Sequence, residues 1–222
     1  MADISELTVL KATDQPFAIV HEDEQLLVVS KPAKLLTVPG RHPENKDCLI
    51  SRVQREWPGA TVVHRLDYDT SGIVLLPLSK RALSELSKQF QARTISKQYH
   101  AVVAGLVEQD QGEINLPIAA DPVNRPLYKI CSNGKPSLTY YQVLSRDTAS
   151  QQSRLLLTPV TGRSHQLRLH LQAIGHPILG DTLYGDDAVI AAADRLLLHA
   201  ESISFSHPLT GLQQKLKAPV TF

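Results

Sequence analysis

Apolar residues in this chain come in short runs of strand length, cut off by turn chemistry, and few of them alternate with helix-period stretches. Phe17 to Val29 (FAIVHEDEQLLVV) predicts two short strands around an acidic turn, the second ended by Ser30-Lys-Pro because proline cannot continue a ladder. Ile73 to Leu78 is a buried strand. Tyr99 to Ala104 alternates, with Tyr99, Ala101 and Val103 on one side. Residues 137–144 and 154–159 predict an antiparallel pair, and Ser202 to Ser206 a half-exposed strand. The stretch 117–136 holds Pro117, Pro122, Pro126 and Pro136 with Asn133-Gly134, the chemistry of a loop or projecting hairpin. Helical spacing is confined to three places. Asp47 to Glu56 has Asp47 as N-cap and Pro58-Gly59 as stop; 80–93 is capped by Ser79 and faces the core with Leu83, Leu86 and Phe90; the third begins after Thr161. Strands that outnumber helices and mostly do not alternate with them define an α+β class with antiparallel pairing, not a doubly wound sheet.

At 222 residues, 42% hydrophobic and 20% charged, the chain has ordinary globular usage and can bury a core without staples. Two cysteines, Cys48 and Cys131, exclude a disulfide scaffold and fit a reduced compartment. With no signal-peptide pattern and no membrane-length apolar run, the expected location is cytoplasmic. Residues 1–16 read as a flexible lead-in and 17–222 as one domain. The net charge of +1 hides an uneven distribution. Residues 61–100 hold six basic and three acidic side chains, and Pro122 to Arg146 carries Arg125, Lys129, Lys135 and Arg146 with no acid. Such patches suit phosphates or simply solvate a face. Gly-x-Gly-x-x-Gly and Walker loops are missing. Nine histidines raise a metal site, but His165 and His170 are five apart and no His-Glu-x-x-His occurs, so no metal is expected.

Polar groups that could do chemistry gather in three segments: His64-Arg-Leu-Asp-Tyr-Asp-Thr-Ser-Gly72, Lys97-Gln-Tyr99, and Thr161-Gly-Arg-Ser-His-Gln-Leu-Arg168. In the third, a Ser164 N-cap and a Gly175-His-Pro ending favour a helix over the period-2 pattern of Leu167, Leu169 and Leu171. Leu167, Leu171 and Ile174 would then face the core, and His165, Arg168 and Gln172 another side. In the first, Asp67 and Asp69 read either as a turn bonding its own backbone or as a reactive carboxylate. A carboxylate that attacks carbon needs a cation to keep it ionised, and Arg65 and Arg168 are the candidates. Two residues apart is poor spacing for a glycosidase pair.

These segments resemble the RluA-type pseudouridine synthases. The resemblance runs from about Phe17 to Phe222 through four blocks. They are Glu22-Asp-Glu-Gln-Leu-Leu-Val-Val-Ser-Lys-Pro; His64 to Gly72; Lys97-Gln-Tyr-His-Ala-Val-Val-Ala-Gly105; and Gly162-Arg-Ser-His-Gln-Leu-Arg-Leu-His170, with Gly175-His-Pro-Ile-Leu-Gly-Asp-Thr-Leu-Tyr-Gly185 and Leu198-His-Ala-Glu201. One departure is Lys34, where the family commonly has glycine, which puts the local turn in question.

The resemblance implies a mixed, mainly antiparallel sheet with flanking helices and projecting loops, without an auxiliary N-terminal RNA-binding module. It implies isomerisation of uridine to pseudouridine in RNA with no cofactor and no metal, on a base flipped out of its stack. By the same resemblance Asp67 is the nucleophile, Arg168 pairs with it, and Tyr99 stacks on the flipped base. Arg65 fills the vacated place in the RNA, and His64 contacts RNA or orients the loop. Arg125, Lys129 and Lys135, with Arg163, are the candidate RNA contacts. The short chain, Val38-Pro-Gly-Arg41 and the Asn124-Arg-Pro loop look most like the members that act on both 23S rRNA and tRNA anticodon stem-loops.

Overall fold

The computed structural model describes residues 8–222. They divide into two compact units, one of residues up to Ile95 with Ala200–Pro219, the other of Ser96–His199 with Val220–Phe222.

The first unit opens with β1 (Ala18–Glu22) and β2 (Leu26–Lys31), an antiparallel pair in register from Ala18↔Ser30 to Glu22↔Leu27 with a bulge near Val20. The acidic turn works as expected: Asp23 Oδ1 accepts from the backbone N–H of Gln25 (2.8 Å) and Leu26 (2.9 Å). Ahead of β1, Asn45 accepts from Leu10 N and donates to Thr8 O, while Thr13 N bonds Lys34 O. The expected lead-in is therefore anchored from Thr8 on, and residues 1–7 lie outside the described residues. Lys34 sits at φ 56°. The lysine thus adopts the left-handed turn that glycine would adopt freely, at a cost of about 1 kcal/mol.

Helix α1 (Leu49–Val53) is capped by Cys48, not Asp47. Asp47 instead takes the Arg52 guanidinium in a two-point pair, 2.7 Å on each arm, and Ser51 Oγ accepts from Cys48 N. A carboxylate with an arginine five residues on is better used by charge pairing than by one cap bond. β3 (Ser71–Pro77) is buried along its whole length and pairs with β2 from Leu26↔Pro77 to Lys31↔Gly72. α2 (Lys80–Ala92) starts at Ser79, whose hydroxyl accepts from Ala82 N, and stops at Arg93 in a left-handed conformation.

In the second unit the strands are β4 (Ser96–Ala104), β5 (Gln111–Asn115), β6 (Ile118–Ala120), β7 (Tyr128–Ile130), β8 (Leu138–Asp147) and β9 (Gln152–Pro159). β4, β9, β8 and β5 lie side by side in that order, antiparallel throughout. β6 and β7 form the expected hairpin, in register from Ile118↔Ile130 to Ala120↔Tyr128. α3 (Gln166–Ala173) confirms the helical reading of the third segment, and α4 (Asp187–Ala191) follows. The α3 N-cap is His165 at φ 56°, not Ser164. Gln166 supplies the local order instead: its Oε1 accepts from Arg163 N (3.0 Å) and Thr161 Oγ1 (2.8 Å), and its Nε2 donates to Leu138 O and Thr139 Oγ1 (3.0 Å each). All four bonding positions of the buried amide are used. The helix is buried from Gln166 to Leu171, so both its polar and its apolar faces are interior.

His170 continues this network. Thr139 Oγ1 lies 3.0 Å from Nδ1 and Leu116 O lies 3.0 Å from Nε2. The carbonyl requires a proton on Nε2, and the Thr139 hydroxyl can donate to Nδ1, an arrangement that suits the neutral ring. Burial pushes its pKa down. The unfolded chain therefore binds a proton that the folded one refuses, and stability falls as pH drops below about 6.5, by at most about 1.4 kcal/mol per pH unit. Melting curves from pH 7.5 to 5.5 are expected to fall more steeply for the parent than for His170→Gln; equal slopes would remove His170 from the acid response.

The chain returns to the first unit within β10 (Leu198–Ser206), beside β3, and β11 (Gln213–Lys217) pairs with it from Ser202↔Lys217 to Ser206↔Gln213. Ile203 and Phe205 are buried, and so is Ser202. Gln89 of α2 bonds both the N–H and the carbonyl of Ser206, fixing the helix to the strand. Among the described residues no helix is long and apolar enough to cross a membrane.

Candidate active site

Asp67 lies in the irregular segment between α1 and β3. Leu66 is buried, Arg65 exposed, and Asp67 half-buried. That alternation comes from a clamp on Leu66: the buried Thr37 hydroxyl donates to Leu66 O (2.8 Å) and accepts from Leu66 N (3.1 Å). A second clamp is Lys31, whose side chain is fully buried at the end of β2. Its ammonium donates to the carbonyls of Leu35 (2.7 Å), Pro32 (2.9 Å) and Tyr68 (3.3 Å). Leu35 N also bonds Tyr68 O, and Tyr68 Oη reaches Lys11 O at 2.6 Å. Asp67 thus sits between two residues whose backbones are both fixed from β2 and the loop after it. Thr70 N closes a turn on Asp67 O. Gly72, at φ 114°, ends the segment; a Cβ there would stand 2.3 Å from Ala200 O, so only glycine permits the close approach of β3 to β10.

His64 accepts the Leu75 N–H of β3 on Nε2 (2.9 Å), and its ring centroid is 5.0 Å from that of Phe90. These contacts tie the ring to β3 and α2.

The other sequence-predicted residues lie in the second unit. Tyr99 is a buried residue of β4, opposite Leu157 of β9. Lys97, two residues before it, shares its face of the strand. Burial holds the Lys97 ammonium below the usual lysine pKa, and its Nζ stands 3.6 Å from where a Cβ on Gly162 would be. Arg168 and Asp181 are both 1% exposed and form a fork, Nε to Oδ2 at 2.8 Å and Nη2 to Oδ1 at 2.5 Å. Asp181 Oδ1 also accepts from Leu183 N and Tyr184 N. The carboxylate set on Arg168 here is one to which the sequence reading gave no role.

The candidate RNA contacts separate by environment. Arg65, Arg125, Lys129 and Lys135 are exposed. Lys129 Nζ has Asp121 at 3.7 Å. Arg163 is half-buried and reaches Pro136 O with two long bonds of 3.4 Å. Arg146, in the acid-free stretch, is turned back onto Val107 O, Glu108 O and Asp110. Sequence reasoning passed over Lys31, Thr37 and Asp181. Lys31 carried a signal, a lone cation ending the apolar run Leu-Leu-Val-Val-Ser-Lys. Thr37 carried none.

Comparison with known proteins bears on the chemistry. A family model described as RNA pseudouridylate synthase matches residues 25–173. A curated protein of Pasteurella multocida named "Dual-specificity RNA pseudouridine synthase RluA" is 48% identical over 211 residues, covering 95% of this chain and 96% of that one. The protein of the same name from Escherichia coli (strain K12) is 46% identical, covering 92% and 93%. Among solved structures, "Human RNA Pseudouridylate Synthase Domain Containing 1" has a TM-score of 0.79 at 29% identity, covering 94% of this chain and 85% of that one. "Human RNA Pseudouridylate Synthase Domain Containing 4" has a TM-score of 0.73 at 24% identity, covering 91% and 88%, and shares the fold.

Proposed function

The chain belongs to the RNA pseudouridylate synthase family, and from that premise we propose that it isomerises chosen uridines to pseudouridine in 23S rRNA and tRNA anticodon stem-loops, with Asp67 as nucleophile. The observation that carries the reading is the 46–48% identity, over nearly the whole chain, to proteins named as dual-specificity RNA pseudouridine synthases.

The reaction breaks the N1–C1′ bond, turns the uracil and joins C5 to C1′. The C5 proton leaves and N1 gains one, so nothing is added overall. The target base is flipped out of its stack, at a cost least for a base already in a loop. Asp67 attacks ribose C1′ or uracil C6. Its half-buried place between two clamped neighbours supports this role, since a nucleophile must be aimed before it reacts. Arg168, forked by Asp181, is the catalytic arginine of this reading. Tyr99 stacks on the flipped base and helps remove the C5 proton, and Arg65 takes the vacated place in the RNA stack. Arg125, Lys129 and Lys135 bind phosphates, with Arg163 beside them.

Tyr99→Phe is expected to bind an RNA hairpin as the parent does, because the ring face survives, and to turn over more slowly. Tyr99→Leu should bind more weakly by about 1–3 kcal/mol, the worth of one base–aromatic stack. Equal binding by the two variants would exclude stacking. A hairpin carrying tritium on uracil C5 tests the function itself: each isomerisation releases one tritium to water. Release matched by pseudouridine in the digest supports the reading, and a hairpin set spanning both RNA classes that releases none contradicts it.

A further inference from the structure

Tyr184 lies in the turn between α3 and α4 and makes contacts in three directions within the second unit. Its backbone N–H bonds Asp181 Oδ1 (3.1 Å), the carboxylate that forks Arg168. Its ring lies on the guanidinium, with Arg168 Cζ 5.5 Å from the centroid. Its hydroxyl accepts from Tyr128 N (3.0 Å), at the start of β7, and bonds His165 Nδ1 (2.7 Å) at the N-cap of α3. Tyr128 begins the return strand of the hairpin that carries Arg125 and Lys129. The His165 ring packs edge-on against both tyrosines, with centroids 5.3 Å from Tyr128 and 5.6 Å from Tyr184.

His165 holds φ 56°, a conformation a side-chain-bearing residue keeps only when its surroundings over-determine it. The hydroxyl of Tyr184 and the two rings are part of those surroundings. The hairpin, the start of α3 and the catalytic arginine therefore meet on one side chain, and the two ends of that side chain do separable work. The hydroxyl holds the hairpin and His165. The ring and backbone hold Arg168.

We infer that Tyr184 is a positioning residue that joins the RNA-binding hairpin β6–β7 to Arg168, its hydroxyl setting how well the hairpin holds RNA and its ring setting how Arg168 is aimed. The inference rests on the pseudouridine synthase reading.

The test is steady-state kinetics on one RNA hairpin, with melting curves run alongside. Tyr184→Phe keeps the ring and removes the hydroxyl; it is expected to raise KM about tenfold, the loss of two modest hydrogen bonds, with kcat within about twofold of the parent. Tyr184→Leu removes the ring as well and is expected to lower kcat at least about tenfold further, as a cation–π contact in a dry site is lost. A purely structural tyrosine would lower the melting temperature of the phenylalanine variant with no split between KM and kcat. The split is read on the phenylalanine variant, so a leucine variant that fails to fold does not remove the test. A phenylalanine variant with parental KM, or one whose kcat falls at unchanged KM, overturns the inference. A parent that forms no pseudouridine overturns the functional reading and this inference with it.

Discussion

Asp67→Asn is expected to give a folded protein that binds RNA hairpins and forms no pseudouridine, a loss of at least about three orders of magnitude in turnover. The amide has the shape of the carboxylate but is not an anionic nucleophile. Folding should survive because the loop is held by groups the substitution leaves alone. Thr37 still clamps the Leu66 backbone, Lys31 still reaches Tyr68 O, His64 still accepts from Leu75 N, and the Asp67 carbonyl still receives Thr70 N. Asp69→Asn is the paired control and should keep substantial activity. Turnover above a few per cent in a clean Asp67→Asn preparation would remove Asp67 from the role.

The largest effect on stability is expected at Asp181. Its pair with Arg168 is sealed from solvent on both sides, and removing one partner of such a pair leaves a buried charge without its counterpart. The cost is about 3–5 kcal/mol. Asp181→Ala also strips the acceptor from the N–H groups of Leu183 and Tyr184. Arg168→Ala leaves the opposite charge and should cost a similar amount, with loss of turnover. Because each single change creates a stranded charge that the other removes, Asp181→Ala with Arg168→Ala should be clearly less destabilised than the two losses summed. Denaturant unfolding of the four proteins reads this directly, and strict additivity would mean that the fork contributes nothing as a pair.

The parts of the fold legible in the sequence are those in which neighbouring residues do the work. The Asp23 turn bonds two and three residues ahead, Ser79 caps its own helix, and the prolines of 117–136 bound a hairpin. β5 and β11 were missed because both are polar strands; QGEIN and QQKLK carry one apolar residue each that alternation could use. Asp47 and Ser164 have the chemistry of caps, but Arg52 claims Asp47 and Gln166 orders the start of α3. The α3 segment suggested two faces, but a helix buried through six consecutive residues has no solvent side, and its polar groups are satisfied by β8 and by Asp181. The candidate site divides the same way. The loop around Asp67 announces itself in one run of residues, while the groups that hold it, Lys31 and Thr37, act across 29 to 37 positions of chain. No spacing rule reaches that far. Lys34 shows the converse: where the sequence resemblance leads one to expect glycine, a lysine adopts the left-handed turn.

The most direct test of the account is nucleoside analysis of RNA stem-loops, drawn from a 23S rRNA and from tRNA anticodon arms, after incubation with the parent protein and with Asp67→Asn. The account predicts that the parent converts uridine to pseudouridine at a defined loop position without added cofactor, and that Asp67→Asn leaves every uridine unchanged. Unchanged uridine with the parent on all of these RNAs, or pseudouridine formed equally by both proteins, would contradict it.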